Sequence, residues 1–162
     1  MTNANRLTSR ALNVIDGISE WSGRAVSWLV LAMVLLVCYD VAMRYLFQSG
    51  SVALQELEWH LFAVIFLVGA AYTLKHDDHV RVDIIYGSRL VGESGRAWIN
   101  LIGVVCFLIP FCLLLISASW PFVHNSFVFS EQSADPGGLP FRFLLKAVIP
   151  LAFSMVLLQG LA

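Results

Sequence analysis

Two pairs of ionisable residues lie within otherwise apolar stretches, where a charge is unfavourable and therefore informative. Asp40 and Arg44 are four residues apart, and so are Glu56 and His60, so each pair shares one face of a helix. In a hairpin centred near Gly50, Arg44 would face Glu56 and Asp40 would face His60. We predict that these four side chains form a structural charge network, and a proton relay is the alternative use of such groups.

The other groups that could bind a metal or a cofactor are poorly arranged for it. The segment 75–83 contains two histidines and three aspartates, but their spacing does not match paired ligands on a helix. A haem between His60 and His124 would need both rings at one depth on facing helices. There is no glycine-rich phosphate loop and no nucleophile–base pair. The cysteines lie in apolar runs without a CxxC pair: Cys38, Cys106 and Cys112. We therefore predict no metal, no cofactor and no catalysis.

The elements that position these residues follow from hydropathy. The chain is 59% hydrophobic and 13% charged, with a net charge of −1, whereas soluble domains are about 25% charged. This balance argues against a nucleic-acid partner and for a membrane. Each of four apolar runs would form a helix about 35 Å long, enough to cross a bilayer core. We predict transmembrane helices over 25–47, 52–74, 97–120 and 139–162.

Two further segments have the periodicity of helices at a membrane surface. In the arm 1–24, apolar residues recur at helical spacing and polar residues fall largely on the other face, which is typical of an interfacial amphipathic helix that precedes a turn into the bilayer. The segment 75–96 has a weaker pattern that glycines interrupt. The sequence thus predicts an all-α integral membrane protein, a single domain with four transmembrane helices, an amino-terminal interfacial helix, and an interfacial segment between helices 2 and 3.

Lysine and arginine counts predict the orientation. The arm carries three of these cations and the segment 75–96 carries four, whereas the opposite side has three, all near helix ends. The side richer in lysine and arginine remains in the cytoplasm. Both termini are therefore expected in the cytoplasm, with the 48–51 turn and the 121–138 loop outside.

Three motifs, taken in their order along the chain, resemble those of one known family. An acidic pair followed by tryptophan opens the second run, a Gly-Ala-Ala step follows, and a His-hydrophobic-x-Val-Asp motif comes next. Their key residues are Glu56, Glu58, Trp59, Gly69, His79 and Asp83. This pattern resembles the small membrane (Q-type) subunit of tripartite ATP-independent periplasmic (TRAP) transporters. The Pro-Gly-Gly-Leu-Pro segment before the fourth run resembles the branch associated with keto acid and other organic acid uptake.

The resemblance implies a division of labour in a bacterial inner membrane. A large permease subunit would carry the solute and sodium sites, and a periplasmic substrate-binding protein would deliver the solute. This chain, in contact with membrane lipid, would be a scaffold for the permease without a solute site of its own. One alternative is a self-sufficient homodimeric transporter, for which Asp40 is the candidate membrane-embedded acid. Another is a quinone-linked redox enzyme, which would need cysteine pairs in the outer loops.

Overall fold

The computed structural model describes residues 3–76 and 92–162, and the regular structure in these residues is helical. Each helix contains a stretch long and apolar enough to cross a membrane, which confirms the prediction of an all-α, multi-pass membrane protein. The helices are α1 (Asn3–Leu46), α2 (Val52–Lys75), α3 (93–128) and α4 (Arg142–Leu161). α3 joins Glu93–Ile102, a π-helical turn over Gly103–Leu108, and Ile109–Val128.

α1 is one continuous helix of 44 residues, about 66 Å long. The predicted turn between the arm and the first transmembrane run, near residue 24, is therefore absent. Gly23 packs against the ring of Tyr72 on α2, where a Cβ atom would have no room, and this contact lies directly at the predicted junction. Ser19 is buried while Trp21 is 74% exposed. The side of the arm that carries Ser19 thus faces the neighbouring helices, and the side that carries Trp21 is open.

The third helix and the following loop also differ from the prediction. α3 ends at Val128 instead of 120, and α4 begins at Arg142 instead of 139. Pro121 lies inside α3, and the mostly apolar residues after it continue the helix, as transmembrane helices tolerate proline. The π-helical turn ends at Leu108, two residues before Pro110, and it widens the backbone where that ring would otherwise crowd the preceding turn. The outer connection is therefore 129–141, shorter than the predicted 121–138.

The predicted interfacial segment 75–96 is described only at its ends. α2 ends at Lys75 and the helix resumes at Glu93. Residues 77–91 lie outside the described residues, and most of the predicted segment lies there with them.

The helices pack as a row and do not form a closed bundle. α1 packs on α2, α2 packs on α4, and α4 packs on α3, while α1 touches α4 only lightly. The buried apolar residues in the described part of the chain are small: Ala71, Cys112 and Ala152. Large side chains such as Trp28 and Phe107 are more than 70% exposed. The row therefore has a thin interior and two wide apolar sides.

Candidate functional site

Glu56, near the start of α2, is a buried carboxylate that anchors the outer loop. Its side chain accepts hydrogen bonds from the Ser133 hydroxyl, from the Leu139 backbone N–H at 2.6 Å, and from the Arg142 guanidinium at 2.8 Å. The residue is only 4% exposed, and both carboxylate oxygens have partners. Charge-assisted bonds of this kind offset the loss of hydration on burial. Glu56 thus connects α2 to the loop 129–141 and to the first residue of α4.

The loop reaches Glu56 because position 138 is a glycine. A Cβ atom on Gly138 would collide with the side chain of Ser133 and would lie 2.8 Å from Oε2 of Glu56. The loop is also closed on itself, since the Ser133 N–H donates to the Leu139 carbonyl at 3.2 Å. Gly137 adopts a positive φ of 82°, a conformation that favours glycine. The Pro-Gly-Gly segment therefore forms the tight turn that the carboxylate requires.

A second ion pair fixes the other side of the loop. Glu131 pairs with Lys146, one turn into α4, and this ammonium lowers the pKa of the Glu131 carboxyl below its ordinary value. The same ammonium lies 3.9 Å from the ring centroid of Phe122 on α3, and the Arg142 guanidinium lies 5.8 Å from that of Trp59. Cations over aromatic rings at these distances are attracted to them. The loop is thus held against three helices.

The charge network predicted across the α1–α2 hairpin is wrong in its cross-helix pairs. Arg44 pairs with Asp40 on its own helix, as their spacing allows, and Glu56 pairs with Arg142 instead of Arg44. His60 contacts the backbone oxygen of Glu56 through Nδ1 at 2.5 Å, and no ion pair joins it to Asp40 in the described part of the chain. The prediction assumed that Glu56 faces α1. α2 instead turns Glu56 towards α4.

Sequence reasoning missed Arg142 and a polar cluster at the opposite end of the row. Lys75 donates to Glu20 at 3.0 Å, Ser19 donates to Gln159 at 2.6 Å, and Gln159 donates to Asp16 at 3.1 Å. This terminal cluster joins α1, α2 and α4. The polar residues of the arm were visible in the sequence, but their spacing did not indicate that they contact other helices. Arg142 was visible only as a cation at a helix end.

The remaining predicted residues are scattered. Glu58 and Trp59 follow Glu56 on α2. Gly69 faces Val26 of α1, and a Cβ atom added to Gly69 would lie 3.8 Å from Cγ1 of Val26. His79 and Asp83 lie outside the described residues. His60 borders an apolar groove between α2 and α4, lined also by Leu61, Val64, Leu144, Leu145 and Val148. Within residues 3–76 and 92–162, no three His, Cys, Asp or Glu side chains converge as metal ligands would.

Comparison with known proteins identifies the family to which this chain belongs. Residues 33–162 match the family described as the DctQ component of tripartite ATP-independent periplasmic transporters. This chain belongs to the DctQ family. The match includes Glu56, Arg142 and the whole of the loop 129–141, so the carboxylate-anchored loop lies within the family region. The α1 half of the terminal cluster precedes that region.

Two curated members of the DctQ type are similar in sequence. The C4-dicarboxylate TRAP transporter small permease protein DctQ of Vibrio cholerae is 32% identical over 116 residues, which cover 72% of this chain and 47% of that protein. The chain therefore spans about half the length of the Vibrio relative. A putative TRAP transporter small permease protein of Haemophilus influenzae is 30% identical over 130 residues, covering 80% of this chain and 78% of that protein. The predicted resemblance to the small membrane subunit of TRAP transporters is confirmed.

Proposed function

We propose that this DctQ-family chain is the small scaffold subunit of a sodium-coupled transporter for organic acid uptake, without a solute site or catalytic activity of its own. Its partners are a large permease subunit and a periplasmic substrate-binding protein. The observation that carries the proposal is that the cationic side chains near the helix ends are already paired within the chain. Arg44 on α1, Lys75 on α2, and both Arg142 and Lys146 on α4 each pair with a carboxylate of the same chain.

A carboxylate solute needs several donors to replace its water, and transporters place such sites near the middle of the membrane. The paired cations of α2 and α4 lie at the helix ends, where they join helices and loops. The wide apolar sides of the row suit contact with lipid or with another membrane subunit. This combination supports a stabilising role and argues against transport through this chain.

The solute class, the membrane location and the coupling ion each rest on a different feature of the chain or its relatives. The organic acid class draws on the name of the Vibrio relative, which specifies C4-dicarboxylates, and on the Pro-Gly-Gly-Leu-Pro segment. A bacterial inner membrane location with cytoplasmic termini draws on the seven-to-three distribution of Lys and Arg. Sodium coupling draws on the family resemblance, because an ATP-independent transporter needs an ion gradient.

Reconstitution of purified components in liposomes tests the proposal. The chain alone, with an inward sodium gradient and candidate organic acids, should give no uptake. The permease with its binding protein should give weak or no uptake, and addition of this chain should restore it. A Glu56→Ala chain, which frees the outer loop, should restore less. Sodium-dependent uptake by this chain alone would contradict the scaffold role and favour the homodimeric transporter.

A further inference from the structure

One exposed side of α1 carries an uninterrupted row of apolar residues. They recur in alternating steps of four and three residues, the spacing with which two helices pack in a coiled coil. This row, the α1 seam, consists of Val14, Ile18, Trp21, Ala25, Trp28, Ala32, Leu35 and Tyr39. Each of its large side chains is at least half exposed. The chain itself therefore leaves the seam open along its whole length.

The amino-terminal part of the seam reaches past the end of the hydrocarbon core. The terminal cluster marks that boundary, because charged groups are unfavourable inside a membrane. Lys75, the last residue of α2, donates to the backbone oxygen of Asp16 and to Glu20, each at 3.0 Å. Ile18 lies at this level and Val14 lies beyond it. A helix whose apolar side is covered by lipid lies in the plane of the membrane surface, whereas α1 continues through this level as one helix. A protein surface is therefore the fitting cover for this part of the seam.

A second copy of this chain would not fit the seam. Copies in one membrane share their orientation, so their α1 helices would run parallel, and a twofold axis would place each seam residue against its own counterpart. Trp21 and Trp28 would each meet a tryptophan, while Ala25 and Ala32 would each meet an alanine. The rings would hold the helices apart and leave voids at the alanines, whereas well-packed interfaces contain few voids. The complementary helix has small residues opposite the tryptophans and large apolar residues opposite the alanines.

The charges beside the seam also favour a different partner. Arg10 and Arg24 lie on the same flank of the seam, two heptads apart, and residues at such flanking positions determine the partner in a coiled coil. The Arg24 side chain is 76% exposed although it pairs with Glu20, and Arg10 is exposed and forms no ion pair with the described residues. In a parallel second copy, the positions facing these cations are Ile15 and Leu29. The complementary helix therefore carries a carboxylate.

We propose that the α1 seam is the site at which a long helix of the large permease subunit packs on this chain. The helix runs alongside α1 from the level of Tyr39 to Val14, beyond the terminal cluster, over about 38 Å. It presents small residues to the two tryptophans, large apolar residues to the two alanines, and a carboxylate to Arg24. The permease is the partner in the proposed function, on which this site therefore rests. The seam specifies which edge of the row meets that partner.

Photo-crosslinking in membranes that contain the whole transporter tests the site. A photoreactive phenylalanine analogue replaces Val14, Trp28 or Leu35 on the seam, one at a time. Val34 is the matched control, because it is 49% exposed on the same helix but lies off the seam. The three seam positions should give a product with the combined mass of this chain and the permease. The same product should be several-fold weaker from Val34.

A substitution that fills the seam gives a second measurement. Ala32→Trp places a ring where the permease helix should insert a large residue, and overpacking of this kind should lower the recovery of permease with the tagged chain about tenfold. Val34→Trp should leave the recovery close to that of the wild type. The isolated Ala32→Trp chain should be as stable as the wild type, since Ala32 is exposed in it. Crosslinking is decisive even if this variant folds poorly.

The possible outcomes distinguish failure of this site from failure of the scaffold role. If the wild-type chain recovers the permease but the seam positions give no product with it, the seam is not the docking site and the scaffold role stands. A product of twice the mass of this chain would assign the seam to a second copy, and products with lipid alone would assign it to the membrane. Either result would overturn the proposal. Failure of the wild-type chain to recover any permease would overturn the proposed function as well.

Discussion

At the scale of single residues, the acidic pair of α2 divides into two environments. Glu56 receives three donors, whereas Glu58, two positions later, has a buried oxygen with none. Successive helix positions are about 100° apart, so residues two positions apart point to nearly opposite sides of the helix. Glu56 faces the loop and α4, and Glu58 therefore lies on the side of α2 that is turned towards α1. The two acidic residues of this motif therefore have different surroundings. Their burial and their hydrogen-bond partners distinguish them, whereas the sequence pattern does not.

The anchoring role of Glu56 predicts a specific loss on truncation. Glu56→Ala leaves Arg142, whose side chain is 25% exposed, without its carboxylate, and it frees the hydroxyl of Ser133. We expect a large fall in Tm in detergent and new protease cleavage within 129–141. Gln55→Ala, at the exposed neighbouring position, should change neither. Equal behaviour of the two variants would show that Glu56 is not an anchor.

The Glu131–Lys146 pair predicts a pH dependence outside the membrane-spanning segments. Lys146 lowers the pKa of Glu131 below its ordinary value of 4.5. A carboxyl with a lowered pKa stabilises the folded state above the unfolded value, and this contribution is lost as pH falls through the folded value. The Tm of the wild type should exceed that of Glu131→Gln at neutral pH, and the difference should shrink in acid. A difference that is constant with pH would exclude this ion pair as its source.

At the scale of elements, the outer loop depends on a glycine that has no room for a side chain. Gly138→Ala places a Cβ against Ser133 and near the Glu56 carboxylate, so the loop must move away from its anchor. Overpacking of this kind typically costs about 1–3 kcal/mol, measurable by unfolding in detergent. Gly50→Ala, in the α1–α2 turn with open space around it, is the control and should be close to neutral. A neutral Gly138→Ala would mean that the loop is not seated on Glu56.

The long α1 helix depends on a second close contact. Gly23→Ile would place a branched side chain into the ring of Tyr72, and we expect a loss of about 1–3 kcal/mol in the free energy of unfolding. Gly17 has nothing within 4 Å, so Gly17→Ala should be stabilising by up to about 1 kcal/mol through helix propensity. If Gly23→Ile were as well tolerated as Gly17→Ala, the close approach of α1 and α2 at this level would be disproved.

Hydropathy predicted the elements well because a lipid-exposed backbone must be helical. α2 was predicted as 52–74 and is observed as Val52–Lys75. The end of α3 was misplaced because a proline next to an apolar run does not show whether the helix stops there. The pairing of Glu56 with Arg142 could not be predicted, because it depends on which side of α2 packs against α4. α2 and α4 are far apart in the sequence, so the way in which their faces align has no local signal in the sequence.

At the scale of the whole molecule, polar contacts secure both ends of a row whose middle is thin. Glu56 and its donors join α2, the loop and α4 at one end. At the other end, the terminal cluster joins α1, α2 and α4, and His76 also contacts Glu20. Between them the helices meet through small residues, which permit close packing in a membrane. The row can therefore keep its shape while both broad apolar sides are left for lipid or a partner subunit.

The orientation of the row in the membrane can be measured by labelling its two ends. In a variant without native cysteines, single cysteines at Asn13 and Ser94 should be protected from an impermeant thiol reagent in intact cells. Cysteines at Ser51 and Ala134 should be labelled, because lysine and arginine counts place the loop end outside. Ala134 is preferable to Ser133, since it is exposed and does not donate to Glu56. Labelling of Asn13 and Ser94 with protection of the other two would reverse the orientation.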